Sequence, residues 1–206
     1  MCKNTWLNEF TMILASASPR RKEILSQMGF DFQVIPTAIN ETHYPKEKPL
    51  DYVCRMAREK CKSTAEKHLQ SIILAADTIV ILNDEILGKP TDKPEAIAML
   101  QKLSGKTHQV ITAFAIKAPF VETIITRHEI TDVTFRELSL EEIMSYAQSE
   151  SPLDKAGAYG IQDLRFALVE KINGCYFNVM GFPTTRFYKS WQNLWKKYYE
   201  NHCCPK

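Results

Sequence analysis

The stretch Met12-Ile-Leu-Ala-Ser-Ala-Ser-Pro-Arg-Arg-Lys-Glu-Ile-Leu-Ser-Gln-Met-Gly29 reads as strand, tight turn and helix in direct succession. Met12 to Ala15 is an apolar run with the length of a short buried strand. Ser16-Ala17-Ser18 is a turn of small residues. Ser18 is placed to cap a helix, and Pro19 suits the first helical position, where a missing N–H costs nothing. Ile24, Leu25 and Met28 then share one helical face, and Gly29 stops the helix. A helix N-terminus offers unpaired N–H groups and a partial positive charge, which attract anions. Arg20 and Arg21 add two cations where the dipole already disfavours them, an arrangement that makes sense when an anion arrives. The stretch therefore reads as a phosphate-binding turn. Taken alone the same residues also describe a solvated basic patch, because neither the phosphate-loop Gly-Lys-Ser/Thr pattern nor the glycine-rich dinucleotide fingerprint is present.

The 206 residues fit a single domain, which two lobes can compose, and such a length buries a real core. Apolar residues make up 45% and charged residues 24%, ordinary for a soluble globular chain. The net charge of +2 is too balanced to argue for general nucleic-acid or membrane binding, so any anion site must be local. No apolar run reaches membrane-spanning length, and residues 1–11 lack the apolar core of a signal peptide. The six cysteines form no CxxC pair and read as free thiols in a reducing cytosol, which predicts a cytoplasmic protein. Cys203-Cys204 beside His202 reads as at most an adventitious metal site.

Beyond the first helix, Phe32 to Pro36 is expected to form a second strand, and Thr37 to Pro49 a polar loop carrying Glu41. Leu50 to Leu69 reads as a helix with Lys60 at the edge of its apolar stripe. Ile72 to Leu82 is the most apolar run and reads as a buried strand, or as two strands interrupted at Asp77-Thr78. An acid in such a run is costly to bury unless it is paired, protonated or holding a metal. Gly88-Lys89-Pro90 is a rigid loop, and Pro94 to Leu103 a helix. Thr107 to Ala118 and Thr123 to Leu138 are long β-rich runs expected to pair antiparallel. Ser139 to Gln148 is a helix with a capping box. Leu153 to Gln162 is small and glycine-rich, which permits close approach of backbone to a ligand. Phe166 to Ile172 reads as a strand that Asn173-Gly174 turns into Cys175 to Val179. Phe187, Trp191, Leu194, Trp195 and Tyr198 recur at helical spacing as a packing stripe. Early alternation of helix and strand, then long antiparallel strands, predicts an α/β fold with a mixed twisted sheet and a cleft between two lobes.

Polar groups at element ends and in apolar runs are Ser16, Arg20, Arg21, Glu41, Lys60, Asp77, Lys89, Lys155 and Gln162. Several cations with two acids suit phosphoryl chemistry, because a polyphosphate needs cations to offset its charge. Glu41 and Asp77 can hold a magnesium or manganese ion through oxygen ligands, and a carboxylate beside it can orient or deprotonate water. Singly, Lys60 and Lys89 also read as solvated lysines and Glu41 as a surface loop acid. Asp77 stands apart because of its apolar neighbours.

Leu14-Ala-Ser-Ala-Ser-Pro-Arg-Arg21, Glu41, Ala57-Arg-Glu-Lys60, Ala76-Asp77-Thr78, Leu87-Gly-Lys-Pro90, Leu103-Ser-Gly-Lys-Thr-His108, Asp154-Lys-Ala-Gly-Ala-Tyr-Gly-Ile-Gln162 and Gly181-Phe-Pro183 together resemble the Maf family of nucleotide pyrophosphatases. The resemblance runs from about residue 12 to 190, in order, within one domain; the tail from about residue 196 is peculiar to this chain and is expected to be peripheral.

The resemblance implies two lobes around a cleft, similar to the inosine triphosphate pyrophosphatases. It implies metal-dependent hydrolysis of a nucleoside triphosphate to monophosphate and pyrophosphate, with Asp77 as proton acceptor. Positions matching Ser16, Arg21, Glu41, Lys60 and Lys89 would line the phosphate and metal site. Arg20, Thr78 and Gln162 match the branch acting on dTTP and UTP rather than the one acting on N7-methylated GTP. A glutamine amide both donates and accepts, as the imide edge of uracil or thymine requires. The family name comes from septum inhibition, so a nucleotide-binding cell-division regulator is the alternative. The expected partner is the triphosphate, with no nucleic acid and no membrane; a homodimer is common for such a fold. Asp163-Leu-Arg-Phe166, where the family has glycines, and Cys175, where a serine is common, depart from the pattern.

Overall fold

The computed structural model describes residues 10–149 and 152–202, with the side chains of 201 and 202 left aside. Cys2, Cys203, Cys204 and the His202 side chain lie outside the described set. The chain runs β1 (Met12–Leu14), α1 (Pro19–Gln27), β2 (Gln33–Val34), α2 (Pro49–Ala65), β3 (Ile72–Leu82), β4 (Glu85–Leu87), α3 (Lys93–Leu103), β5 (Thr107–Lys117), β6 (Ile125–Phe135), α4 (Leu140–Gln148), β7 (Val169–Asn173), α5 (Tyr176–Val179) and α6 (Thr184–His202). The seven strands form one mixed sheet in the order β2-β1-β3-β5-β6-β7, with β4 also on β3. β1 is parallel to both β2 and β3, and the remaining pairings are antiparallel.

The opening stretch folds as its residues dictate. Ser18 accepts a hydrogen bond from the Arg21 N–H, Pro19 starts the helix, and Gly29 takes a φ of +79° at its end. Ser139 and Glu142 complete the expected capping box on α4.

β3 is one unbroken strand. Its residues 72–74 pair with β1 and its residues 80–82 pair with β4, on the same edge. Among the described residues no strand fills that edge between them. The chain leaves β1 there and turns into α1, so the phosphate-turn candidate and Asp77-Thr78 meet at one gap.

Side chains alternate across a strand, so consecutive residues face opposite ways. Ile73, Ala75, Ile79 and Ile81 pack with Val53, Ala57 and Cys61 of α2. The opposite face carries two clusters. Ile72, Leu74 and Ala76 pack with α1 and the aromatic stripe of α6, while Val80 and Leu82 pack with α3 and α4. The two clusters are the lobes, and the gap in the edge lies at their boundary.

Three expected boundaries move. α2 stops at Ala65 instead of Leu69, which is 73% exposed and has no core to extend toward. The strand expected from Phe166 begins at Val169, because Arg136 takes the Phe166 and Ala167 carbonyls and Ala167 has a φ of +44°. Residues after Asn173-Gly174 form the short helix α5 and not a returning strand, because the Asn178 side chain itself bonds to the main chain of β5.

Candidate active site

The gap in the sheet edge opens into a cleft of about 550 Å³. Its walls hold every site residue named from the sequence: Ser16, Arg20, Arg21, Glu41, Lys60, Asp77, Thr78, Lys89, Lys155 and Gln162. They come from the turn before α1, α1 itself, the Glu41 loop, α2, β3, the Lys89 loop and the glycine-rich segment.

On the α2 side, Lys60 reaches from the helix to the sheet. Its ammonium lies 2.7 Å from Asp77 Oδ1 and 2.7 Å from Glu41 Oε1. The Lys60 and Asp77 side chains are mostly buried, whereas Glu41 is 55% exposed. An apolar strand tolerates the acid at residue 77 because this ammonium pairs it. Glu41 sits on a loop that has no regular structure but is tied down. Tyr52 donates from its hydroxyl to the Glu41 carbonyl at 2.9 Å. Burial, reinforced by the nearby Asp77 and Glu41 charges, pushes the Tyr52 phenol up to about 12, so it remains a donor. Arg55 grips Glu47 through two bonds of 2.6 and 2.7 Å, donates to the Thr42 carbonyl and stacks on Tyr44. The sequence offered no periodic signal for Tyr52 or Arg55, because they act on a loop.

On the opposite face, Arg21 makes three hydrogen bonds to uncharged acceptors. Nε donates to the Gly181 carbonyl at 2.9 Å, Nη1 to Ser16 Oγ at 3.0 Å and Nη2 to Thr78 Oγ1 at 2.9 Å. Burial lowers the pKa of this guanidinium, with Asp77 opposing the shift. A guanidinium has five N–H groups, so one on each terminal nitrogen has no acceptor among the described residues. Arg20 turns the other way and pairs with Asp154 at 3.4 Å.

The glycine-rich segment forms two short 3-10 turns, Pro152–Asp154 and Ala156–Ala158. Gly157 has a φ of +68°, and its N–H bonds the Gly88 carbonyl at 2.9 Å. A Cβ there would sit 3.0 Å from Val80, so only glycine lets this segment lie on β3 beside the Lys89 loop. Lys155 donates to Asp154 Oδ1 at 3.0 Å. Burial would raise the Asp154 pKa, but the Lys155 hydrogen bond and the charges of Lys155, Arg20 and Lys89 outweigh it and lower the pKa. Tyr159 anchors the segment to the core through a 2.7 Å hydrogen bond to His108 Nε2. Burial holds that imidazole down to about 4, hence neutral.

Gln162 lies exposed on a turn at the rim of the cleft. Asp163, one of the departures from the family pattern, accepts from the Tyr146 hydroxyl at 2.5 Å, and the same hydroxyl oxygen accepts from Gly160 N–H at 3.1 Å. The departure therefore shapes the loop that presents Gln162. Cys175, the other departure, stands at the N-cap of α5 without a side-chain cap bond, which a serine there would be able to make.

Asp154, Tyr159 and Asp163 were not singled out as site residues from the sequence. Asp154 and Tyr159 lie within the quoted Asp154–Gln162 motif, and Asp163 opens the departure that follows it. Among the described residues, no group of three or more His, Cys, Asp or Glu side chains could hold a metal ion, and no helix is long and apolar enough to cross a membrane.

A family model described as Maf-like protein matches residues 11–194. The chain is 45% identical over 183 residues to the dTTP/UTP pyrophosphatase of Aquifex aeolicus, spanning 89% of this chain and 95% of that protein. It is 48% identical over 185 residues to the dTTP/UTP pyrophosphatase of Escherichia coli K12, spanning 89% and 93%. The Staphylococcus aureus Ham1 protein aligns with a TM-score of 0.44 and 16% identity, over 61% of this chain and 71% of that chain, a likeness too slight to carry an argument.

Proposed function

This chain belongs to the Maf-like protein family, and we propose that it hydrolyses dTTP and UTP to the nucleoside monophosphate and pyrophosphate. The observation that carries the reading is the arrangement of Arg20, Arg21, Lys60, Lys89 and Lys155 around Asp77 in one cleft. Five cations against three acids, Glu41, Asp77 and Asp154, leave the cleft net positive, which matches a ligand of high negative charge and disfavours a neutral one.

Arg21, with the N–H groups opening α1, binds the triphosphate through its two remaining N–H groups. Lys89 and Lys155 line the same cleft and offset charge that develops on the leaving pyrophosphate. Asp77 takes a proton from water as the water oxygen bonds to the α-phosphorus and the bond to the bridging oxygen breaks. Lys60, touching both acids, holds Asp77 in place for that transfer. Gln162 reads the imide edge of the base.

The donor set fits a divalent metal. Glu41 and Asp77 converge on one cation, the Lys60 ammonium, and with substrate phosphates and water the same two carboxylates would hold magnesium, which is bound by one or two carboxylates. Bound there, the ion would neutralise charge on the phosphates and the attacking oxygen. The free thiols of Cys54, Cys61 and Cys175 support a reducing, cytoplasmic setting.

Pyrophosphate release from a panel of triphosphates, with Mg²⁺, Mn²⁺ or chelator, tests the reading. Metal-dependent release from dTTP and UTP, with little from purines, is expected. Gln162→Glu is expected to shift the preference among bases, and an unchanged preference removes Gln162 from base reading. Release from N7-methyl-GTP instead refutes the substrate assignment, and release from none of them refutes the enzyme and favours a nucleotide-binding regulator.

A further inference from the structure

Between the two apolar clusters on one face of the sheet runs a seam of polar side chains: Thr78 of β3, Thr112 of β5, Thr131 of β6 and Asn178 of α5. Thr112, Thr131 and Asn178 are fully buried at 0% exposure, where an unpaired polar group is costly. The seam satisfies itself. Asn178 Oδ1 accepts from Thr112 N–H at 3.1 Å, and Nδ2 donates at 2.9 Å to both the Val110 carbonyl and Thr131 Oγ1. These partners fix the amide's orientation, since a flipped amide would turn its oxygen to the Val110 carbonyl and its NH2 to the Thr112 N–H.

The protons along the seam have one direction. Thr112 Oγ1 lies 2.9 Å from the Asn178 carbonyl, which can only accept, so Thr112 gives its single hydroxyl proton there. Thr78 Oγ1 lies 3.0 Å from Thr112 Oγ1, and the proton between them must then be that of Thr78. Thr78 is left with lone pairs toward Arg21 Nη2, 2.9 Å away. The chain reads Arg21 to Thr78 to Thr112 to the Asn178 carbonyl, each donating to the next. The same carbonyl accepts from Gly181 N–H at 2.9 Å, and the Gly181 carbonyl receives Arg21 Nε at 2.9 Å. Two of the three bonds that aim Arg21 therefore trace back to Asn178. The hydroxyl of Thr78 also has no proton left for a base, so this residue serves the phosphate side of the cleft through Arg21.

We propose that Thr112, fixed by Asn178, is a positioning residue for pyrophosphate release: by taking the Thr78 proton it makes Thr78 an acceptor that holds Arg21 in its phosphate-binding pose. The inference rests on Arg21 as a triphosphate-binding group. Thr112→Val keeps the shape of the side chain and removes the acceptor, whereas Thr112→Ser keeps the hydroxyl.

Steady-state pyrophosphate release from dTTP and UTP is measured for wild type, Thr112→Val, Thr112→Ser, Thr78→Val and the double valine variant, with circular dichroism to confirm folding. Thr112→Val is expected to lower kcat/KM about tenfold, the scale of one lost oriented hydrogen bond. Thr112→Ser should return it to within about threefold, as a rescue that packing alone would not give. The double variant should be no worse than Thr78→Val, since Thr112 acts through Thr78. Wild-type kcat/KM in a folded Thr112→Val, or losses that multiply in the double variant, overturns the inference. If Thr112→Val does not fold, Thr112→Ala asks the same question. A wild-type protein that releases no pyrophosphate from any triphosphate refutes the functional reading, and the inference falls with it. An active wild type with an unaffected Thr112→Val refutes the inference alone.

Discussion

His108 ties the glycine-rich 152–163 segment to the core, and its titration should be visible in the stability of the whole protein. The imidazole is 2% exposed, packs edge-on against Phe135 and Tyr159, and meets the Tyr159 hydroxyl at 2.7 Å. Burial lowers its pKa from the ordinary 6.5 to about 4. In the unfolded chain the ring takes up a proton near the ordinary value, so between these limits the unfolded state binds more protons than the folded one. The neutral histidine therefore contributes stability that is fully present above pH 6.5 and is lost as pH falls toward 4. Each tenfold gap in proton affinity is about 1.4 kcal/mol, which puts the whole contribution at about 3 kcal/mol, of which about 2 kcal/mol is gone by a pH of about 4.5.

The assay is urea unfolding followed by the fluorescence of the buried Trp191 and Trp195, at a pH of about 7 and about 4.5, for wild type and His108→Gln. Glutamine does not titrate, so the variant starts less stable but should lose about 2 kcal/mol less between the two conditions. The Arg55 and Arg136 partners hold Glu47 and Glu142 down to about 2, so these acids titrate lower and equally in both proteins. Identical losses in the two proteins would refute the assignment of His108 as a neutral buried anchor.

Asp77→Asn keeps the size of the side chain and leaves Lys60 its bond to Glu41, so the fold should persist while kcat falls about a hundred- to a ten-thousandfold; turnover within threefold of wild type, by pyrophosphate release, would remove Asp77 as the proton acceptor. Arg21→Lys keeps the charge but offers one nitrogen where three acceptors wait, so KM for dTTP should rise at least about tenfold and the melting temperature should fall. An unchanged KM would show that charge alone is enough. Gly157→Ala forces a side chain into a φ of +68° and against Val80, with an expected loss of about 2 kcal/mol or more in urea unfolding; a neutral effect would mean the 156–158 turn rearranges freely.

Local chemistry was legible wherever it lay within a few residues along the chain. The Ser18 cap, Pro19, the Gly29 stop and the Ser139–Glu142 box all act between near neighbours, so a linear reading finds them. Asp77 announced itself by polarity in an apolar run, and its partner Lys60 by its place at the edge of a helical stripe. Two elements near residues 166 to 179 misled because the sequence cannot show that Arg136 takes the Phe166 and Ala167 carbonyls or that the Asn178 side chain bonds the main chain of β5. Both competing hydrogen bonds come from far along the chain.

By itself, then, the sequence determined the α/β alternation, the turn that opens α1 and the residue types gathered for phosphoryl chemistry, because periodicity, capping and charge are local properties. Only the tertiary structure decided which residues meet. Pairing β1 and β4 to the two ends of one edge of β3 leaves the gap where the turn, Asp77 and Thr78 converge. The alternation of side chains along β3 then sends Asp77 to Lys60 on one face and Thr78 to Arg21 on the other. β1 pairs with β3 from sixty residues away, Met12 opposite Ile72, with no hairpin turn between them to set the register.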